Sequence, residues 1–290
     1  MDDKTINRNY GIDVIAGILI IWMVTSHYLT FFGVQKDDYS ATRFLQNALY
    51  FFMPWFYFKS GMFYRRETKT NMLRKTSKNL LRPFILYSIY GTAIGMIAFL
   101  VKGENPIYLI ISELYFLIHW GSTEWNAALW FLLSLFVVRN IHNAFCNHTK
   151  ILCAISFILS IAHYYIIDHS LWYIGGNILT GMWFYDLGVC LRDKQYSKSL
   201  AIISSVFYAV SVFVYNSKLS MFNNDLLGSG YYMLSLIYPV FANISANNIA
   251  RTFAQNYLTN ALAWIGNHSM IIYVLHYPIG KFVCSMLNFL

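Results

Sequence analysis

GIDVIAGILIIWMVTSHYLTFF, residues 11–32, decides the fold. It carries one charged side chain, Asp13, and is otherwise close to continuously apolar. A bilayer-spanning helix needs about 20 mostly apolar residues. A transmembrane β-strand would instead alternate in character over about 10 residues, which the run Ile12 to Val24 does not do. The run follows Lys4 and Arg8 as a signal peptide would, but it is too long for such a segment and no A-x-A pattern follows it. It is therefore read as a retained first helix.

Runs of the same kind recur to the end of the chain. Of 290 residues, 57% are hydrophobic and 12% charged. A soluble domain has about 25% charged residues, so a soluble globular domain is excluded. Some 200 residues in apolar segments correspond to roughly ten membrane helices, leaving about 90 for loops. Five prolines in the whole chain suit helices. The expected fold is all-α, a polytopic transmembrane helical bundle of about ten helices. The expected spans are 11–32, 44–63, 83–101, 126–146, 151–167, 171–190, 199–216, 228–248 and 262–289, the last split near Gly266 or Gly280. The stretch 106–121 is a full span, a re-entrant segment or an interfacial helix. No linker, low-complexity tract or repeat interrupts the chain, so residues 1–290 form one domain. Cys146, Cys153, Cys190 and Cys284 have no metal-binding spacing and read as small apolar residues; no metal is expected.

The cations give an orientation. With the N-terminus inside, the inner loops hold fifteen Lys and Arg and the outer side five, Lys36, Arg43, Lys102, Lys218 and Lys281. That excess places the N-terminus in the cytoplasm. The segment YRRETKTNMLRKTSKNLLR, residues 64–82, is densest. It has Arg65, Arg66, Lys69, Arg74, Lys75, Lys78 and Arg82 against one acid, Glu67. It reads as an anchor to anionic lipid or as a phosphate-binding surface, and the two are compatible.

Polar groups inside spans are costly and mark structure or function. His27 lies 16 residues after Gly11, about 24 Å along the helix, towards the outer side. It is a structural histidine or a proton-transfer group. Lys59 is the basic residue deep within a span. It snorkels to the inner interface, or it pairs with Asp13, which lies at the same depth on the first helix. Glu113, His119, His163, Asp186 and His276 are further interior groups.

Five segments in order carry a resemblance. IDVIAGILIIWMVTSH (12–27), FFMPWFYFKSGMFYRR (51–66) with its Ser60-Gly61 step, LLRPFILYSIYG (80–91) after the basic loop, ALWFLLSLF (128–136) around Trp130, and WIGNHSMIIYVLHYPI (264–279) with Gly266, Ser269 and His276 are similar to the acyltransferase 3 family. That is a family of bacterial integral-membrane O-acyltransferases, and the chain resembles its short form, without an appended soluble domain. Two features depart. The family's first helix usually carries Arg or Lys eleven residues before the histidine, where this chain has Ala16. The family's paired arginines after the second helix are not matched cleanly; Lys75 and Lys78 have that spacing, followed by Arg82.

The resemblance implies transfer of an acyl group, most often acetyl, from coenzyme A to a hydroxyl of a cell-surface glycan or glycolipid. The donor is acyl-CoA, expected as acetyl-CoA, and the setting is the bacterial inner membrane. His27 is the expected catalytic base or acyl-accepting group, with Lys59 replacing the missing cation and Asp13 as its counter-ion. Arg65, Arg66, Arg74, Lys75, Lys78 and Arg82 are the expected donor-binding cations. Glu113, His119, Trp130 and His276 are the expected acceptor-binding residues. Membrane lipids are the other expected partner, and no nucleic acid is. Two rival readings are a carrier or flippase for a lipid-linked sugar and a catalytically inactive relative.

Overall fold

The computed structural model describes residues 10–33, 40–166, 172–192, 197–214 and 232–287. These residues are helical, with no strand among them. In chain order the helices are α1 Tyr10–Phe31, α2 Ser40–Ala48, α3 Phe52–Met62, α4 Lys69–Thr76, α5 Arg82–Lys102, α6 Pro106–Trp120 and α7 Trp130–Ala144. They continue with α8 Thr149–Ile166, α9 Tyr173–Leu191, α10 Lys198–Val214, α11 Tyr232–Ala250, α12 Tyr257–Asn267 and α13 Ser269–Met286. Among the described residues, four stretches are long and apolar enough to cross a membrane, namely Tyr10–Phe31, Lys69–Lys102, Ala127–Ala144 and Cys146–Ile166. The expected count of about ten crossings is therefore not established. Part of the reason is that two expected spans are broken.

The expected span 44–63 is two helices. The chain turns at Leu49, Tyr50 and Phe51, and α3 restarts with Pro54 in its first turn, where a missing N–H costs least. The expected span 262–289 begins earlier, at Tyr257, and is split near Gly266, the break falling at His268. Before α5, a π-helical step at Ser77–Leu81 joins it to α4 in one 34-residue helix, Lys69–Lys102.

The most extensive helix pair is α1 with α12. Two glycines let the backbones touch: a Cβ on Gly17 would sit 2.1 Å from the carbonyl oxygen of Leu262, and one on Gly266 1.9 Å from that of Asp13. Gly11 brings α1 equally close to the end of α11, where a Cβ would sit 1.7 Å from the carbonyl oxygen of Ala250. Higher up, Gly280 of α13 packs against the rings of Tyr28 and Phe31. The broken helix α12–α13 thus runs beside α1 along its whole length. The pair α3–α9 closes in the same way through Gly61 and Gly188.

The bundle has a basic end. Lys59, near the end of α3, reaches Asp13 near the start of α1. Arg192, just after α9, donates to the carbonyl of Tyr64 at 2.9 Å. The seven cations of segment 64–82 share this end with Arg139, Lys150, Arg192, Lys198 and Arg251. Arg43, Lys102 and Lys281 belong to the other end. Lys4, Arg8, Lys36, Lys194 and Lys218 lie outside the described residues.

Helix α6 does not reach the basic end. It starts three residues after Gly103, the turn that ends α5, and its last residue, Trp120, stacks on Tyr173 at the start of α9 with ring centroids 5.1 Å apart. Both points are opposite the basic end. Its Ile107, Tyr108, Ile111, Leu114 and Ile118 are exposed, as a lipid-facing stripe would be.

Gly17→Ala and Gly266→Ala should each lower the thermal midpoint in detergent, because a backbone oxygen cannot give way; overpacking costs about 1–3 kcal/mol or more. Gly33→Asn is the control, since Gly33 has φ 67° and open space around it. Equal midpoints for all three variants would refute this packing.

Candidate active site

Helices α1 and α13 bring two histidines together. The His27 and His276 ring centroids are 5.3 Å apart, and His27 also meets the edge of Tyr277 at 5.3 Å and lies 6.3 Å from Phe31. His27 is half-buried and His276 is buried. Nδ1 of His276 lies 2.8 Å from the carbonyl oxygen of Tyr273 and 3.2 Å from that of Ile272. Carbonyls only accept, so Nδ1 carries the proton and Nε2 keeps a lone pair. That Nε2 is buried and has no hydrogen-bond partner among the described residues. The site therefore holds a fixed acceptor beside a second titratable ring.

Towards the basic end, a cavity of about 240 Å³ runs along α3 between α1, α7 and α13. Met53, Phe56, Lys59, Ser60 and Phe63 form its α3 wall. Tyr273, whose ring is 6.2 Å from that of His276, belongs to the α13 wall. The lining is mostly apolar, with Lys59, Ser60 and Ser269 as polar points. Phe63, exposed at the foot of α3, leads straight into Arg65 and Arg66.

Lys59 is held inside the bundle. Its ammonium is 3.7 Å from the Asp13 carboxylate and 5.3 Å from the Trp55 ring centroid, and the side chain is 21% exposed, so it does not extend away from the bundle. Ala16, one turn above Asp13, is fully buried in the cluster of Leu19, Tyr50, Phe51, Trp55, Ala242 and Ala246. An arginine there would find no space. The Asp13–Lys59 pair is 14 residues from His27 on α1, about 21 Å. It cannot touch the same reacting atoms as His27.

The seven cations of segment 64–82 are all exposed. Two are engaged by neighbours: Lys75 pairs with Glu67 at 2.7 Å, and Arg66 donates to Asn147 at 2.9 Å. Thr68 caps α4 by accepting from the Asn71 N–H at 3.3 Å. Asn143 pins the start of the segment by accepting from the Tyr64 hydroxyl and the Glu67 N–H and donating to the Glu67 carbonyl.

Of the expected acceptor-binding residues, His276 alone sits beside His27. Glu113 is buried in α6 and accepts from the backbone N–H groups of Glu124 and Trp125 and from Thr92. Its carboxylate shapes a loop. His119, at the far end of α6, lies against Tyr115 with ring centroids 4.2 Å apart. Trp130 is a core residue at the start of α7.

Two features escape sequence reading. His142 and Asp186 form a fully buried pair, 2.6 Å apart, joining α7 to α9 under the ring edge of Tyr64. Asp186 was legible as an interior acid, but His142 lies near the end of the expected span 126–146 and was not singled out; α7 carries it into the interior. The second is the loop Gly121–Asn126, which enters the bundle as buried non-helical backbone. Its signal is the Gly-Ser-Thr run in HWGSTEWN, inside an otherwise apolar stretch.

The sequence was also compared with known proteins. Residues 9–290 match the family model described as an acyltransferase domain, so the chain belongs to the acyltransferase 3 family. No curated protein and no solved structure matches it. The family and the long apolar helices together make it a membrane protein of acyltransferase type.

Removing one partner of a buried hydrogen bond leaves the other polar group unsatisfied and costs about 1–3 kcal/mol. Asp186→Ala should therefore lower the thermal midpoint sharply, and the double variant Asp186→Leu/His142→Phe should recover part of the loss. A single variant as stable as the wild type would show that the pair is not needed for stability.

Proposed function

We propose that this protein moves an acyl group from acyl-CoA to a hydroxyl of a glycan or glycolipid acceptor at His27. The observation that carries the reading is the cavity, which runs from Phe63, next to the basic segment in the chain, to Tyr273, one turn from His276, whose ring meets that of His27. Coenzyme A has phosphates at one end and a thin thioester arm at the other. The phosphates suit the exposed arginines and lysines of segment 64–82, where guanidinium groups match phosphate oxygens two at a time. The arm suits a narrow, mostly apolar cavity with Lys59 and Ser60 on its wall. In this reading Lys59 assists donor binding rather than proton transfer, because of its distance from His27.

The chemistry follows from the two rings. Neutral His27 takes the proton of the acceptor hydroxyl as its oxygen attacks the thioester carbonyl carbon. The new carbon–oxygen bond forms, the carbon–sulfur bond breaks, and the coenzyme A thiolate takes the proton back from His27. The lone pair on His276 Nε2 favours the charged form of His27 while it holds that proton. The acetyl group is the expected cargo, and an inner membrane with the basic end facing the cytoplasm is the setting that the charge asymmetry favours.

Two outcomes test this reading. With acetyl-labelled acetyl-CoA and purified protein, His27→Ala should reach wild-type levels in the membrane yet lose transfer by about 10²–10⁴-fold, the range for a general base. Near-normal transfer would remove His27 from the mechanism. Replacing Lys75, Lys78 and Arg82 together by Gln should raise KM for acetyl-CoA at least tenfold, since charge-assisted bonds are worth about 1.5–3 kcal/mol each. An unchanged donor KM would leave these cations as lipid anchors.

A further inference from the structure

The loop Gly121–Asn126 departs from the rule that polar groups inside a bundle are paired. Gly121, with φ 69°, stops α6 at the end opposite the basic segment. The chain then descends, and Asn126 donates to the carbonyl of Val274 at 3.0 Å, two residues before His276. Tyr273 donates to the carbonyl of Ala128 just below. The backbone of the loop is provided for, because the Glu113 carboxylate takes the N–H groups of Glu124 and Trp125. Its side chains are not. Ser122 Oγ, Thr123 Oγ1, Trp125 Nε1 and Asn126 Oδ1 are buried with no hydrogen-bond partner among the described residues. Their residues are 0%, 6%, 3% and 0% exposed.

Buried polar atoms without partners are rare, and each costs enough to need an explanation. Here four fall within five consecutive residues, and the Nε2 lone pair of His276 adds a fifth close by. Non-helical backbone at membrane depth is tolerated where it is enclosed by protein or lines a binding cavity.

We propose that this loop holds the acceptor, and that it recognises the neutral hydroxyl groups of a sugar. The inference rests on the acyltransferase reading above and assigns its second substrate a place. The inventory suits a polyol. Two hydroxyls both donate and accept, the indole N–H donates, and the Asn126 oxygen accepts, its NH₂ being committed to Val274 and Tyr87. Charge is spent elsewhere. Glu113 serves the backbone, and Glu124 is tied to Lys281 at 3.0 Å and to Ser112 at 2.6 Å. Glu124, the half-buried member of the loop, marks its rim. Lys281 over the Trp125 ring at 4.9 Å and Gly95 against it cover that ring, so Trp125 offers its N–H and not a stacking face.

The test uses Ser122→Ala and Thr123→Val, singly and together, which delete hydroxyls and keep shape. The full-length protein in detergent is assayed with labelled acetyl-CoA and a panel of methyl hexopyranosides. The expected result is an acceptor KM raised about tenfold per hydroxyl with donor KM unchanged, and a thermal midpoint no lower than wild type, because the deleted groups have no partner to lose. If the wild type acetylates the sugars and the double variant has an unchanged acceptor KM, the loop is not the acceptor site. If the wild type transfers to none of the sugars, the acyltransferase reading for sugars fails and this assignment with it. If the donor KM rises instead, the loop serves the donor and the proposal is overturned.

Discussion

The backbone contact between α1 and α12 sets the rest of the site. Gly17 against Leu262 and Gly266 against Asp13 draw the two helices closer than side chains would permit. Within lipid there is little hydrophobic drive between helices, so close packing through small residues is what holds them. The consequence is felt a helix-length away. Because α12 is fixed against the lower half of α1 and breaks at His268, α13 continues beside the upper half, and His276 arrives at His27. Two residues far apart in the chain become one site through glycines that carry no chemistry themselves.

The interior polar groups divide by how they are satisfied. His142 with Asp186, and Asp13 with Lys59, are pairs that join helices. Glu113 acts as a local scaffold, replacing the hydrogen bonds that a helix would have given the backbone at 124 and 125. That arrangement lets a loop exist where lipid would otherwise require regular helix. Four of the polar side-chain atoms it carries are left without a hydrogen-bond partner among the described residues.

The charge is arranged as a gradient along the bundle. Exposed cations crowd the end where segment 64–82 joins α3 to α5, and the mostly apolar cavity begins there. Lys59 is a cation drawn inwards from that end, and Asp13 keeps it there. The packing around Ala16 leaves no room for a cation on the first helix.

Much of this was legible in the sequence, since it depends on residues near each other in the chain. Apolar runs gave α1 as 11–32 against the observed Tyr10–Phe31, and α5 as 83–101 against Arg82–Lys102. Depth arithmetic at 1.5 Å per residue was enough to pair Lys59 with Asp13. His27, His276 and the basic segment were all visible as polar or charged exceptions to a greasy background. Only the tertiary structure decided which exceptions meet. It joined His276 to His27 while leaving His119 at the far end of α6, and it turned Glu113 towards a loop backbone. It also buried His142 against Asp186 and carried Gly121–Asn126 into the bundle. The physical reason is that hydrophobicity along the chain specifies that a segment enters the membrane and how far it runs. Which face turns to which neighbour is set by close contacts between helices that are remote in sequence.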